Sequence, residues 1–539
     1  LTASVWYHIG GNEAASTIPS IPIIKKYWTN IMCVALRDIN FRRVSLAVIF
    51  VLSVVGSSLG QGSRLELGRR VQRLEIAWEN ADLSQRDASL RPLQNAVTSF
   101  FSLRLSEAGK KIDEAWYGLR EKSSKTPLDL SVIGLTVLAT PVLSDCDIEE
   151  LKVKLVDFYP SPKKLPDATQ LHLQLFKGSD RVVASTTFSL AQESGSWKWN
   201  TGELPEGDYQ LAAEFQSEDA RFKYPPITIS RIANLDSRLT ALKEHLKSVE
   251  NKKHSPAETK APEGASKNVD ASSANSSILA TLRNEVRLME NMQTGKVQEA
   301  DFPMSARLNF CELLAKLDHE QNPVPKVLDE GQQYWMNLAA GNRSVRTRIR
   351  VPNTLTSPRP VLFLFHGAGG SENMFFQTYG AGKVVAEATQ RGWIVVCPGQ
   401  GLLGLALNLE EMLDALECFI PCDRNAVMLV GHSMGAMQVM NQVKRFPELP
   451  IAAVAVGGGR SFRPSSSLAI PKAPWFVTAG TADFGRSGGR ALHESLKKLG
   501  CDSEFHLSQA AEHLTSVQAS IGPIFEFLDQ VLKASAKRE

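Results

Sequence analysis

From about residue 327 to the C-terminus, short apolar runs of strand length alternate with segments of helical period. Strands are expected at 361–366, 393–397, 426–430, 451–456, 475–479 and 503–507, with helices at 383–391, 409–419, 436–445, 490–499 and 516–532 between or after them. Strands this apolar must be buried on both faces, and strands joined through helices run parallel. The reading is an α/β domain over 327–539, a mostly parallel sheet with helices on both faces.

The preceding residues follow other periods. Residues 1–62 are read as an N-terminal extension and signal peptide. Arg37, Arg42 and Arg43 are the basic region, 44–55 the apolar core and 56–62 the small residues of a cleavage site. An exported protein with no stable membrane span after signal removal is expected. Residues 63–125 form a helical segment: Leu90, Leu93, Val97, Phe100 and Phe101 recur at steps of three and four, as do Ala108, Ile112, Ala115, Trp116 and Leu119. These stripes are read as helix–helix core. Residues 126–230 alternate with period two and are read as a β-sandwich of about seven strands. Trp197 and Trp199 share one strand face there, read as sandwich core rather than a sugar-stacking platform.

Residues 231–326 are read as a helical, coiled-coil-like region with a disordered linker at about 252–277. Ile232, Leu235, Leu239, Leu242, Leu246 and Val249 set a seam that Leu279, Leu282, Val286 and Met289 continue. Two helices with such a seam fold back on each other or self-associate between chains, and the spacing does not choose.

Composition excludes some classes. A formal net charge of +3 over 539 residues is too small for a nucleic-acid clamp. Seven cysteines are too few for a disulfide scaffold and have no zinc-site spacing, so no metal is expected. Cys397 reads as a buried thiol, and Cys418 and Cys422 are near enough in sequence to pair.

The chemistry concentrates in the C-terminal segment. The strand 426–430 runs into Gly431-His432-Ser433-Met434-Gly435 and then a helix. A serine becomes a usable nucleophile when a sharp strand-to-helix turn holds it in the open beside a base, and that turn needs flanking glycines. Upstream, His366-Gly367-Ala368-Gly369-Gly370 ends a strand. Its glycines (Gly367, Gly369) let backbone approach a substrate carbonyl, and the N–H groups of Ala368 and Met434 are the expected oxyanion donors. Downstream, a strand leads to Asp483, and His513 lies between the last strand and the last helix. The order Ser433, Asp483, His513 gives nucleophile, orienting acid and base. His366 and His432 read as structural, Asp502 as a discounted rival acid, Glu512 as a neighbour able to tune His513, and Arg486 as solvated. Met374, Phe375 and Phe376 are expected to wall the acyl pocket. The short connection between 456 and 475 leaves no room for a large lid, so an open cleft is expected, one that, with the ester hydrolysis the resemblance below implies, suits small or polymer-attached esters.

These four motifs resemble the α/β-hydrolase superfamily, and within it secreted carboxylesterases related to polyhydroxyalkanoate depolymerases, feruloyl esterases and dienelactone-hydrolase-like proteins. The resemblance spans about 330–539 and implies ester hydrolysis through an acyl-enzyme, without a cofactor. Two rivals stand beside it. One is a serine peptidase of the prolyl-oligopeptidase type, whose elbow has an aromatic residue after the serine where this chain has Met434. The other is a non-catalytic binding protein on the same fold.

Overall fold

A computed structural model describes residues 61–121, 125–160, 164–178, 181–190, 195–218, 220–254, 269–294, 302–317, 327–340, 343–399, 407–463 and 471–537. The expected signal peptide lies outside the described residues.

Three helices open the described chain: α1 (Gln61–Asn80), α2 (Leu83–Phe101) and α3 (Leu105–Leu119). Asp82 caps α2 by accepting from the Gln85 N–H at 2.8 Å, while the Gln85 side chain accepts from the Asp82 N–H at 2.8 Å. This reciprocal box satisfies two donors that a helix start otherwise leaves orphaned. Leu74, Leu93, Ala96, Ile112 and Ala115 pack between the three helices. A short α4 (Pro127–Val132) leads into strands.

The strands are β1 (Leu135–Thr140), β2 (Leu143–Asp145), β3 (Glu150–Asp157), β4 (Gln170–Lys177), β5 (Arg181–Ser189), β6 (Ser196–Asn200), β7 (Gly207–Ser217) and β8 (Ala220–Ile232). They form a three-stranded sheet, β1-β3-β6, and a five-stranded sheet, β2-β8-β7-β4-β5. Leu171, Leu173 and Leu175 of β4 are fully buried while their neighbours face outward, the period-two pattern of a half-buried strand. Trp197 and Trp199 are buried, and Trp197 stacks on Phe188 with ring centroids 5.6 Å apart, so this pair is core.

A polar knot joins the helices to the strands. Asp113 of α3, fully buried, accepts from Arg70 and, at 2.5 Å, from Arg73, both of α1, and from the Tyr159 hydroxyl at 2.7 Å. Glu66 pairs with Arg70 at 3.0 Å and accepts from the Tyr224 hydroxyl of β8 at 2.6 Å. Burial of so many charges is costly unless each is answered, and each of these carboxylates has several partners.

Helices α5 (Leu235–His254), α6 (Val269–Gln293) and α7 (Met304–Leu317) follow. Of the expected linker, 252–254 and 269–277 are helical, and 255–268 lies outside the described residues. The seam residues Leu239, Leu242, Leu246, Leu279, Leu282, Val286 and Met289 are buried within this one chain, in the same core as the sheet that follows. Of the two arrangements the spacing allowed, the chain adopts the folded-back one, and the stripe is spent on intrachain packing.

The C-terminal part comprises β9 (Gln333–Ala340), β10 (Arg343–Arg350), β11 (Arg359–Phe365), α8 (Met374–Gln377), a 3-10 turn (Tyr379–Gly382), α9 (Lys383–Gln390), β12 (Ile394–Pro398), α10 (Leu409–Glu417), β13 (Cys422–His432), α11 (Met434–Arg445), β14 (Pro450–Val456), β15 (Trp475–Gly480), α12 (Arg486–Lys498), β16 (Ser503–Ser508) and α13 (Ser516–Ser535). One eight-stranded sheet runs β16-β15-β14-β13-β11-β12-β10-β9, parallel from β16 to β12 and antiparallel at β10 and β9. Alternate residues enter different cores. Leu362, Leu364, Met428 and Val430 face α9 and α13, while Phe363, Phe365, Val427 and Leu429 face the side of α10, α11 and α12. The edge strand β9 would expose unpaired N–H groups. Helix α6 answers two of them: Asn337 N–H donates to the Thr281 hydroxyl at 2.8 Å and Ala339 N–H to the Ser277 hydroxyl at 2.9 Å. Cys418 and Cys422 each donate to a backbone carbonyl and form no disulfide with each other, so the pairing the spacing allowed is not made.

Candidate active site

Strand β13 ends at His432, and α11 begins at Met434, leaving Ser433 alone at the turn with φ 57° and ψ −116°. Few residues with a side chain adopt such a backbone, and it lifts the hydroxyl out of the sheet. The turn is tight enough to fix its neighbours. A Cβ on Gly431 would lie 2.2 Å from the Gly435 carbonyl oxygen, and one on Gly435 would lie 1.9 Å from that of Phe365. The Ser433 N–H donates to the Val456 carbonyl at 2.8 Å, tying the elbow to β14.

The loop after β15 carries Asp483 and the loop after β16 carries His513. The two strands pair in parallel, which sets both loops at the same sheet edge as the elbow. Ser433 Oγ lies 3.0 Å from His513 Nε2, and His513 Nδ1 lies 2.8 Å from Asp483 Oδ1. Asp483 Oδ1 also accepts from the Gly485 N–H at 2.7 Å, and its Oδ2 accepts from the Ser516 hydroxyl at 2.7 Å. Burial pushes the Asp483 carboxyl up, but the hydrogen bond from His513, its charge, and the Ser516 and Gly485 donors outweigh that and hold it below its ordinary value. An ionised Asp483 keeps the proton on Nδ1 and leaves Nε2 free to accept.

His432 is buried, with its ring 4.6 Å from that of His513. Its Nε2 lies 3.0 Å from the His513 carbonyl oxygen and donates to it, so it orients the base through its backbone. Burial, and then the neighbouring His513, push its pKa down, and the neutral ring stands beside the base without competing for charge. Glu512, also buried, accepts from the Leu514 N–H at 3.0 Å and has its carboxyl pushed up to about 7, chiefly by burial. His366 folds onto the Gly367 carbonyl at 2.8 Å. Arg486 donates to the Thr481 carbonyl at 2.7 Å and steadies the Asp483 loop. Asp502 is exposed and outside this group.

The N–H groups of Ala368 and Met434 have no hydrogen-bond partner among the described residues, and Ala368 lines the cavity in front of Ser433. The Gly367 N–H is different: it donates to the Tyr379 hydroxyl at 3.2 Å, which holds the loop in place. Phe375 does not wall the pocket. The single turn of α8 directs it into the core beneath, 1% exposed and 4.9 Å from the Tyr379 ring, and Met374 lines the cavity instead. Phe376 lies under the Arg348 guanidinium, 4.1 Å from its centre.

The expected open cleft is also corrected. Ser433 and His513 face a largely apolar cavity of about 120 Å³ whose far wall is the N-terminal helical segment: Leu67 and Val71 of α1, Val97 and Phe100 of α2, and Ile112 of α3. Among the described residues, this cover comes from a part of the chain more than 300 residues upstream. Phe100 packs against Gly369, where φ is +76°: a Cβ there would lie 2.6 Å from its Cζ atom. Further ties hold the cover down. Gln94 donates to the Ala482 carbonyl at 3.3 Å beside Asp483, Lys383 pairs with Glu79, and Phe101 meets Phe484, whose ring lies 4.1 Å from that of His513. The helical stripes were visible in the sequence, but nothing in them distinguishes a wall that faces a cavity from one that faces a core.

Residues 361–524 match the family model described as the alpha/beta hydrolase family, and this segment has that fold. Among solved structures, the chain is similar to a thermostable esterase (17% identity, 38% of this chain and 64% of that one, TM-score 0.32). It is similar to a dienelactone hydrolase from Anabaena variabilis (18% identity, 38% of this chain and 99% of that one, TM-score 0.30). It is also similar to an S-formylglutathione hydrolase from Staphylococcus aureus (14% identity, 38% of this chain and 98% of that one, TM-score 0.30).

Proposed function

We propose that the chain is a serine carboxylesterase that cleaves small-molecule esters through an acyl-enzyme. The observation that carries this reading is the pair of contacts at one rim of the sheet, Oγ to Nε2 at 3.0 Å and Nδ1 to Oδ1 at 2.8 Å. In the first half-reaction Ser433 Oγ attacks the ester carbonyl carbon and its proton passes to His513 Nε2. The carbonyl oxygen, now negative, takes hydrogen bonds from the Ala368 and Met434 N–H groups. Collapse breaks the ester C–O bond, and the departing oxygen takes the proton from Nε2. Water then repeats the sequence on the acyl-enzyme, releasing the acid and Ser433.

The covered site favours small molecules over the polymer-attached esters that an open cleft would take. An apolar cavity of about 150 Å³ accepts one benzene ring, and this one, at about 120 Å³, suits a short acyl chain or a single ring. It likewise disfavours the peptidase alternative, whose substrate must thread a polar backbone past Ser433. Export is part of the proposal and rests on the basic and apolar run at 37–62. Among the described residues no helix is long and apolar enough to cross a membrane.

The test is hydrolysis of p-nitrophenyl esters of increasing chain length by the wild type and Ser433→Ala. Rapid turnover of acetate to butyrate, decline beyond that, and loss in the variant are expected. Equal activity in the variant would refute the assignment, and cleavage of peptides but not esters would favour the alternative.

A further inference from the structure

A second cavity, about 490 Å³, adjoins the first, and Arg64, Gly68, Met374 and Thr378 line both. Its lining is mixed, with polar and charged groups beside apolar ones. Where the cavity before Ser433 is walled by aliphatic and aromatic side chains, this chamber is lined by Arg64, Arg69 and Gln72 of α1, Gln210 of the sandwich, and Arg346 and Glu372 of the hydrolase segment. The charges do not cancel. Arg346 is answered by Glu372 at 2.9 Å and Arg69 by Glu66 at 3.8 Å. Among the described residues Arg64 has no carboxylate within ion-pair distance, and Glu372 is the one acidic residue lining the chamber. An unanswered guanidinium among amide donors, in a concave site, is the complement of an anion. Helix α1, the sandwich and the sheet edge all contribute, so the chamber exists only because the upstream segments fold onto the hydrolase.

Taking Ser433 as the nucleophile, as proposed above, we infer that the substrate is a two-armed ester: a short apolar arm lies before Ser433, and the other arm carries a carboxylate or phosphate into the chamber, where Arg64 binds it. The anion belongs to either the acid or the alcohol side of the ester, since both arms diverge from the carbonyl held at the oxyanion donors.

Two substrate pairs separate these sources. On the acid side, p-nitrophenyl hydrogen glutarate is compared with p-nitrophenyl pentanoate; on the alcohol side, 3-carboxyphenyl butyrate with phenyl butyrate. In at least one pair the anionic ester is expected to show the higher kcat/KM, by tenfold or more at low salt, with the preference shrinking as ionic strength rises. Arg64→Gln should lower that ratio at least tenfold, chiefly through KM, and Arg64→Lys should retain most of it. Labelling of Ser433 by a fluorophosphonate reads the underlying site separately. If Ser433 labels but neither pair discriminates, or the preference ignores Arg64, the anionic arm is refuted while the esterase reading stands. If Ser433 does not label, both fall.

Discussion

At the scale of single residues the reactive group depends on a few atoms whose positions the sequence announces. That Ser433, Asp483 and His513 come within hydrogen-bond distance was legible because each lies in a motif whose local backbone does the positioning: the elbow, and two loops that follow parallel strands. Phe375 was misjudged for a related reason. Sequence spacing brings 374–376 near the oxyanion loop, but which of three adjacent apolar residues faces the cavity depends on the rotation of one helical turn, and that faces Met374 inward. Replacing Asp483 by Asn should leave the fold intact and lower kcat by about 10⁴-fold, since the wrong imidazole tautomer then faces Ser433. Steady-state kinetics on p-nitrophenyl acetate checks this. Glu512 gives a pH prediction of defined sign. Its carboxyl ionises near 4.5 when free and at about 7 in the folded chain, so its protonated form supports the fold fully below 4.5, and that contribution is lost as pH rises through 7. Glu512→Gln should therefore raise the melting temperature at pH 8 and change it little at pH 4; equal shifts at both would contradict the burial argument.

Elements carry the specificity. Helices α1, α2 and α3 look in sequence like any amphipathic bundle, and their apolar stripes do pack as a core. What periodicity could not reveal is that one end of the bundle's apolar surface roofs a cavity over Ser433. Phe100→Ala should enlarge that cavity and move the preferred p-nitrophenyl ester toward longer acyl chains, with hexanoate gaining relative to acetate; an unchanged chain-length profile would mean that the helices do not bound the acyl arm. The same bundle is held by Asp113, which meets two arginines and a tyrosine hydroxyl. Asp113→Ala would strand Arg70 without its main partner in a buried site and is expected to cost about 3–5 kcal/mol, measured by denaturant unfolding.

Over the whole molecule, one apolar core runs from Leu67 of α1 through the sandwich to Ala511 beside the base. Composition suggested several domains, and periodicity anticipated many strands and helices but not β9 and β10, yet neither indicates how segments pack across hundreds of residues, since any apolar face satisfies another. The continuous core implies that the cover and the catalytic part unfold together. Tryptophan fluorescence, far-UV circular dichroism and loss of esterase activity should follow one denaturant transition, and early loss of activity would reveal a cover that opens by itself. The central claim is that one hydroxyl, activated by one imidazole, performs the chemistry. It is tested most directly by reacting the intact protein with a fluorophosphonate and mapping the adduct by mass spectrometry in the wild type, Ser433→Ala and His513→Ala. A single stoichiometric adduct on Ser433, lost in the first variant and slowed by orders of magnitude in the second, is the expected result. No adduct, or an adduct on another residue that survives Ser433→Ala, would contradict it.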